Sequence, residues 1–254
     1  MQLNDDTPTP GFIPDVYPSQ PPINLIHEVE LLNPNNFYAF EGIDGSGKST
    51  LIRAVSESLA NSGIETITAK LVGSDIVLHA IERAKWLNVD PICFNLLNWV
   101  SVFHQINMNK EFLNTPRLLL ADRFTMTIKT RGFLEGLQND YMDILEKMIP
   151  RPTAFFLLDC EPELCVERIL TSKRQITYFE SGARHVSMPN EQMVERSKWE
   201  RTNTVTREKM LLQSLTRTRQ HFLSLAKQYS NVIIIDNSCS IEHAVNQVVD
   251  VLIR

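Results

Sequence analysis

Basic charge is scarce in this chain of 254 residues: 25 lysines and arginines face 30 acidic side chains, for a formal net charge of -5 at pH 7. That balance gives no sign of the strongly basic domain usual in a nucleic-acid binder, although a local arginine cluster can still hold a polyanion. Cysteine is sparse too. The four (Cys93, Cys160, Cys165 and Cys239) lie in apolar or helix-patterned segments. Cys160 and Cys165 have no second cysteine or histidine pair at ligand spacing, so free thiols are expected rather than a metal site. The six histidines form no His-x-x-x-His pair. No segment approaches the ~20 apolar residues of a membrane span. The first residues lack the basic start and apolar run of a secretory signal. A cytoplasmic protein with reduced thiols, touching neither membrane nor nucleic acid, is the expectation.

Proline is present but crowded to one end, with seven of the 13 within the first 34 residues. At that density a segment loses both helix and ladder hydrogen bonds. Residues 1–35 are therefore expected to be a proline-rich arm outside the main fold. Beyond it there is no internal repeat. Short apolar runs at 37–41, 64–71, 117–121, 153–159 and 231–236 alternate with helical patterns at 48–61, 74–87, 91–113, 161–172, 190–230 and 240–253. Runs that are apolar almost throughout suit parallel strands buried on both faces. Strands separated by helices predict an α/β fold with a parallel sheet and right-handed crossovers.

Between the first strand and the first helix stands Gly42-Ile43-Asp44-Gly45-Ser46-Gly47-Lys48-Ser49-Thr50. It meets the phosphate-loop pattern G-x-x-x-x-G-K-[ST] in the strand–loop–helix setting that gives the pattern its meaning. The glycines let successive N–H groups face the phosphates, and the helix adds the positive end of its dipole. Lys48 would reach the β- and γ-phosphates, and the Ser49 hydroxyl would complete the coordination of Mg²⁺. ATP with Mg²⁺ is the expected cofactor pair. The Asn-Lys-x-Asp of a guanine reader is absent. At the tip of the third strand, Asp122 can hold the metal through water or polarise an acceptor, and Arg123 can grip a second phosphate. A helix cap with a surface ion pair is the alternative reading of these two residues.

Phe40-Glu41 with the loop resembles the opening of thymidylate kinases, and Asp122-Arg123-Phe124 is similar to their Asp-Arg-Tyr/Phe motif. Phe155 to Asp159, followed by Glu161-Pro162-Glu163 and Arg168, resembles their fourth strand and the helix leading to the lid. The resemblance spans about 37–254. It implies a three-layer P-loop NTPase fold with strand order 2-3-1-4-5 and a helical lid region at about 172–190. It also implies a nucleoside monophosphate acceptor such as dTMP, and a homodimer. Residue by residue it gives Arg123 the acceptor's phosphate, places Asp122 near the metal and the transferring group, and places Asp44 near the acceptor sugar. Arg168 would lie at the base of the lid, with Lys173, Arg174 and Arg184 as candidates to neutralise charge over the transferring group.

The acceptor half departs from the pattern. Ala69-Lys70-Leu71-Val72-Gly73 stands where bacterial members have Arg-Glu-Pro-Gly, and Val102 stands where a helix usually offers an arginine to thymine. Arg131 and Tyr178-Phe179-Glu180-Ser181-Gly182 resemble divergent members instead. Trp99, Phe103 and His104 either line a base pocket or, at their helical spacing, pack in the core. A kinase for a nucleoside or another metabolite, and a nucleotide-binding regulator without turnover, are the alternatives to a monophosphate kinase.

Overall fold

A computed structural model of the chain describes residues 34–71, 74–87, 89–113, 115–138, 140–172, 175–182, 196–237 and 240–253. The proline-rich arm, except for its last two residues, and most of the expected lid lie outside them. The elements run β1 (Phe37–Glu41), α1 (Lys48–Asn61), β2 (Thr66–Lys70), α2 (Asp75–Leu87), α3 (Pro91–Asn109), β3 (Leu118–Asp122), α4 (Thr125–Leu134), α5 (Asp140–Glu146), β4 (Ala154–Asp159), α6 (Pro162–Thr171), α7 (Arg196–Glu200), α8 (Thr204–Ala226), β5 (Val232–Asp236) and α9 (Ile241–Leu252). The strands form one parallel sheet in the order β2-β3-β1-β4-β5, as expected of this P-loop architecture.

Period-two alternation along the strands sends side chains into two cores. Tyr38, Phe40, Leu118, Leu120, Phe156 and Leu158 meet α1 and α9. Phe37, Ala39, Leu119, Ala121, Phe155 and Leu157 meet α3, α4, α6 and α8 on the other face. A third cluster joins α2 to the start of α3 through Val77, Ile81, Ala84 and Phe94. Among the described residues no helix is long and apolar enough to cross a membrane.

Three expectations change. The helical pattern over 190–230 is broken, because Asn203 caps α8 by accepting from the Thr206 N–H at 2.8 Å; positions 190–195 lie outside the described residues. The helix expected over 91–113 ends at Asn109 and tightens to a 3₁₀ turn over Lys110–Phe112. Helices α4 and α5 were not anticipated. In α4, Thr125, Met126, Thr127, Ile128, Lys129, Thr130 and Gly132 are all buried. A helix enclosed on most sides shows no single apolar stripe, and its threonines read as strand or turn.

Candidate active site

The parallel strands bring the ends of β1 and β3 side by side, with Phe40 in register with Asp122. This is the edge where an α/β sheet places ligands. From β1 the chain enters the phosphate loop, which is wedged between two neighbours. Gly45 has φ +81, and a Cβ there would lie 2.6 Å from the Cys165 carbonyl oxygen. Gly47 has φ +90, and a Cβ there would lie 2.7 Å from Nδ2 of Asn237. That Asn237 amide donates to the Ser46 carbonyl, while its own N–H donates to the Asp159 carbonyl at 3.0 Å. Glycine is required at both positions by the backbone angle and by the closeness of the neighbour.

The Lys48 ammonium is buried within the loop. It donates to the carbonyls of Gly42 (2.9 Å) and Ile43 (2.7 Å) and to the Ser46 hydroxyl (3.2 Å). Burial, and then the positive charge of Arg123, push its pKa down to about 7. One residue on, the Ser49 hydroxyl donates to Oδ2 of Asp122 at 2.7 Å. A hydroxyl and a carboxylate so close fit a magnesium ion, which takes one or two protein oxygens and completes its octahedron with phosphate and water. The cleft that holds them has about 360 Å³ and is also lined by Asp44, Lys70 and Arg123.

Arg123 follows the strand tip with φ 70, the one non-glycine residue in the left-handed region among the described residues. Glu41 stabilises this turn. Fully buried, its carboxylate accepts from the N–H groups of Phe124 (2.9 Å) and Thr127 (3.1 Å) and from the Thr127 hydroxyl. It supplies the cap that α4 lacks from its own N-cap residue. Burial raises the Glu41 pKa, and these hydrogen bonds oppose that rise. Held in this way, the Arg123 guanidinium donates to the Gly42 carbonyl at 3.2 Å and to Oδ1 of Asp44.

The other expected residues divide. Arg131, on α4, lines a narrow pocket with Asp44, Arg123, Phe179 and Glu180. Arg168 lies on the outer side of the loop, in a cavity of about 450 Å³ shared with Gly45, Gly47, Thr50 and Asn237. Its guanidinium donates to Cys160 Sγ at 3.3 Å and to the Asn237 carbonyl at 3.1 Å. Trp99 is core, not pocket: it is 1% exposed, and Phe103 packs beside it with ring centroids 6.5 Å apart. Trp99 lies on the core face of α3, and Phe103 is half-buried at the margin of the same cluster. His104 bonds Ser74 Oγ at 2.8 Å. Lys173, Arg174 and Arg184 lie outside the described residues. Two contributors were missed, Glu41 as a cap and Asn237 as a brace. An acid closing an apolar strand was the available signal for Glu41; Asn237 offered none.

Two outcomes are expected. At a pH about one unit above 7, Lys48 is largely neutral; a bound triphosphate restores its charge, so binding takes up a proton. Calorimetry of a non-hydrolysable ATP analogue in buffers of different ionisation enthalpy should show that uptake, fading about one unit below 7 and absent in Lys48→Met. Glu41→Gln turns an amide donor toward buried donors, and should lower the stability read from urea unfolding by about 1–3 kcal/mol.

Comparison with known proteins agrees with this geometry. The family model described as thymidylate kinase matches residues 40–185, more than half of the chain. A probable thymidylate kinase of Sulfolobus acidocaldarius is 25% identical over 213 residues, covering 82% of this chain and 92% of that protein. One from Sulfurisphaera tokodaii is 27% identical over 217 residues, covering 85% and 95%. The thymidylate kinase of Geotalea daltonii is 28% identical over 160 residues, covering 58% and 72%. With the phosphate loop, the Asp122-Arg123 tip and the strand order in place, the chain belongs to the thymidylate kinase family.

Proposed function

We propose that the protein transfers the γ-phosphoryl group of ATP to a nucleoside monophosphate, dTMP being the acceptor suggested by its relatives, to give the diphosphate and ADP. One observation carries the reading. The Ser49–Asp122 and Arg123–Asp44 pairs open onto a single cleft at the phosphate loop, which supplies contacts for two phosphate-bearing ligands rather than one. Family membership supports it, and a nucleoside kinase or a silent regulator has no comparable support.

The donor's phosphates would lie along the loop N–H groups, with its nucleoside toward the outer cavity of Arg168 and Asn237. Lys48 would exchange its bonds to the Gly42 and Ile43 carbonyls for phosphate oxygens. Ser49 and Asp122 would hold Mg²⁺, which would supply positive charge against the charge that develops in the transfer. Arg123 would hold the acceptor phosphate in line with the donor, Asp44 would take the acceptor sugar, and Arg131 would line the acceptor pocket. Arg174, with Lys173 and Arg184, would supply charge from the lid. Phosphoryl transfer needs this positioning and positive charge more than covalent chemistry.

A homodimer fits the surface of α3. Opposite the side chains that meet the core, Ile92, Leu96 and Val100 repeat every four residues and are 43%, 42% and 47% exposed, a stripe suited to a second copy of the same helix.

An acceptor-dependent assay tests the function: ADP should form from ATP only with a suitable monophosphate, and its failure to form with any monophosphate would overturn the reading. Lys48→Ala should cut turnover by about 10²–10³-fold or more. Arg123→Ala should chiefly raise the acceptor KM; unchanged acceptor kinetics would refute its role. Leu96→Glu should convert the dimer to monomer in analytical ultracentrifugation, and a monomeric parent protein would remove the dimer assignment.

A further inference from the structure

Two cations near the cleft meet an aromatic ring rather than a carboxylate at contact distance among the described residues. Lys85, in the last turn of α2, holds its ammonium 5.4 Å from the centroid of the Phe179 ring. Arg131, from α4, holds its guanidinium 5.9 Å from the same ring. Phe179 packs in turn on Phe94 at 5.0 Å. Three segments remote in sequence therefore bring two cations onto one aromatic ring.

Elsewhere the half-buried cations are paired. Lys129 meets Asp143 and Glu146, Arg219 forks onto Asp159, and Arg123 holds Asp44. Among the described residues Lys85 and Arg131 have no ion pair or side-chain hydrogen bond of contact distance; the Phe179 ring lies within reach of both, while Asp44, Glu180 and Glu82 act on Lys85, and Asp44, Glu135 and Glu41 on Arg131, from farther off. Burial is the main force pushing both pKa values down. The charge of Arg131 adds to it for Lys85, and that of Arg123 for Arg131, while the Asp44 carboxylate is the chief opposing charge for both. Arg123, Arg131, Asp44 and Phe179 line one narrow pocket, and Lys85 stands at its edge, against the Phe179 ring. Half-buried cations without acceptors are costly, and a dianion that accepts from them removes the cost.

Resting on the monophosphate-kinase reading, we propose that Lys85 and Arg131 grip the phosphate of the acceptor monophosphate together with Arg123, with Phe179 as the platform that aims both cations. Lys85 becomes a binding residue of the reaction, supplied by α2.

The test uses Lys85→Met, which keeps the length of the side chain and removes its charge, and Lys85→Arg, which restores the charge. With dTMP as the varied acceptor, Lys85→Met should raise its KM about 10–100-fold. The KM of ATP and the inhibition constant of thymidine, which lacks the phosphate, should stay within about twofold, and Lys85→Arg should recover most of the loss. An unchanged dTMP KM overturns the proposal. So does equal weakening of thymidine, which would mean that Lys85 merely braces Phe179. A second arm does not depend on turnover: inorganic phosphate is titrated into the protein with its donor site filled by a non-hydrolysable ATP analogue. Phosphate binding by the parent protein and its loss in Lys85→Met support the anion site even if no monophosphate is phosphorylated, which would sink the function alone. Equal phosphate binding by both proteins refutes the assignment whatever the activity.

Discussion

The buried carboxylate of Glu41 ties together the parts on which the site depends. It closes β1, yet its hydrogen bonds go to the backbone that follows β3, at Phe124 and Thr127. Those N–H groups belong to the first turn of α4, where a helix exposes donors that must be met. The same contact holds the preceding residue, Arg123, in a left-handed conformation that a side chain adopts only at a cost. One acid thus fixes where α4 starts, which way Arg123 points and how the tips of two neighbouring strands are joined. It also explains why the carboxylate tolerates complete burial, since three donors replace the water it gave up.

The loop itself is braced rather than free. Cys165 of α6 closes against Gly45, and Asn237 after β5 closes against Gly47. Both contacts come from the side of the sheet beyond β4, so the donor half is shaped by segments far along the chain. The Lys48 ammonium is satisfied by the loop's own carbonyls. Those bonds are exchangeable. They keep a buried charge tolerable and hold the lysine in place inside the loop, a form of preorganisation.

The phosphate-loop pattern was readable in sequence because it is contiguous. Gly42 to Thr50 form one stretch whose residue types each have one purpose, and Asp122-Arg123 sits at the end of an unmistakable apolar strand. The sheet was readable for the same reason, as each strand is a short run with helices on either side. Helix α4 was not, because burial on nearly every side erased the polar face that makes periodicity visible. Asn237 was not, because it follows a strand as many loop asparagines do, and its use depends on the loop lying 191 positions earlier. Trp99 misled in the opposite direction. An aromatic at helical spacing fits either a pocket or a core, and only the orientation of α3 decides between them.

That orientation also accounts for the altered acceptor half. Val102, expected from the family resemblance to stand in an arginine's place, is 2% exposed and shares the core with Trp99 and Ile106. An arginine there would need either a polar partner at that depth or a different helix position, and α3 in this chain is packed as though neither were needed. Around Asp44 the cations come from other elements: Arg123 pairs with it, Arg131 of α4 lines the same narrow pocket, and Lys85 of α2 reaches the Phe179 ring at its edge. A site can move its charged contacts from one helix to its neighbours without changing the fold, because the cleft constrains where charge must be and not which backbone carries it.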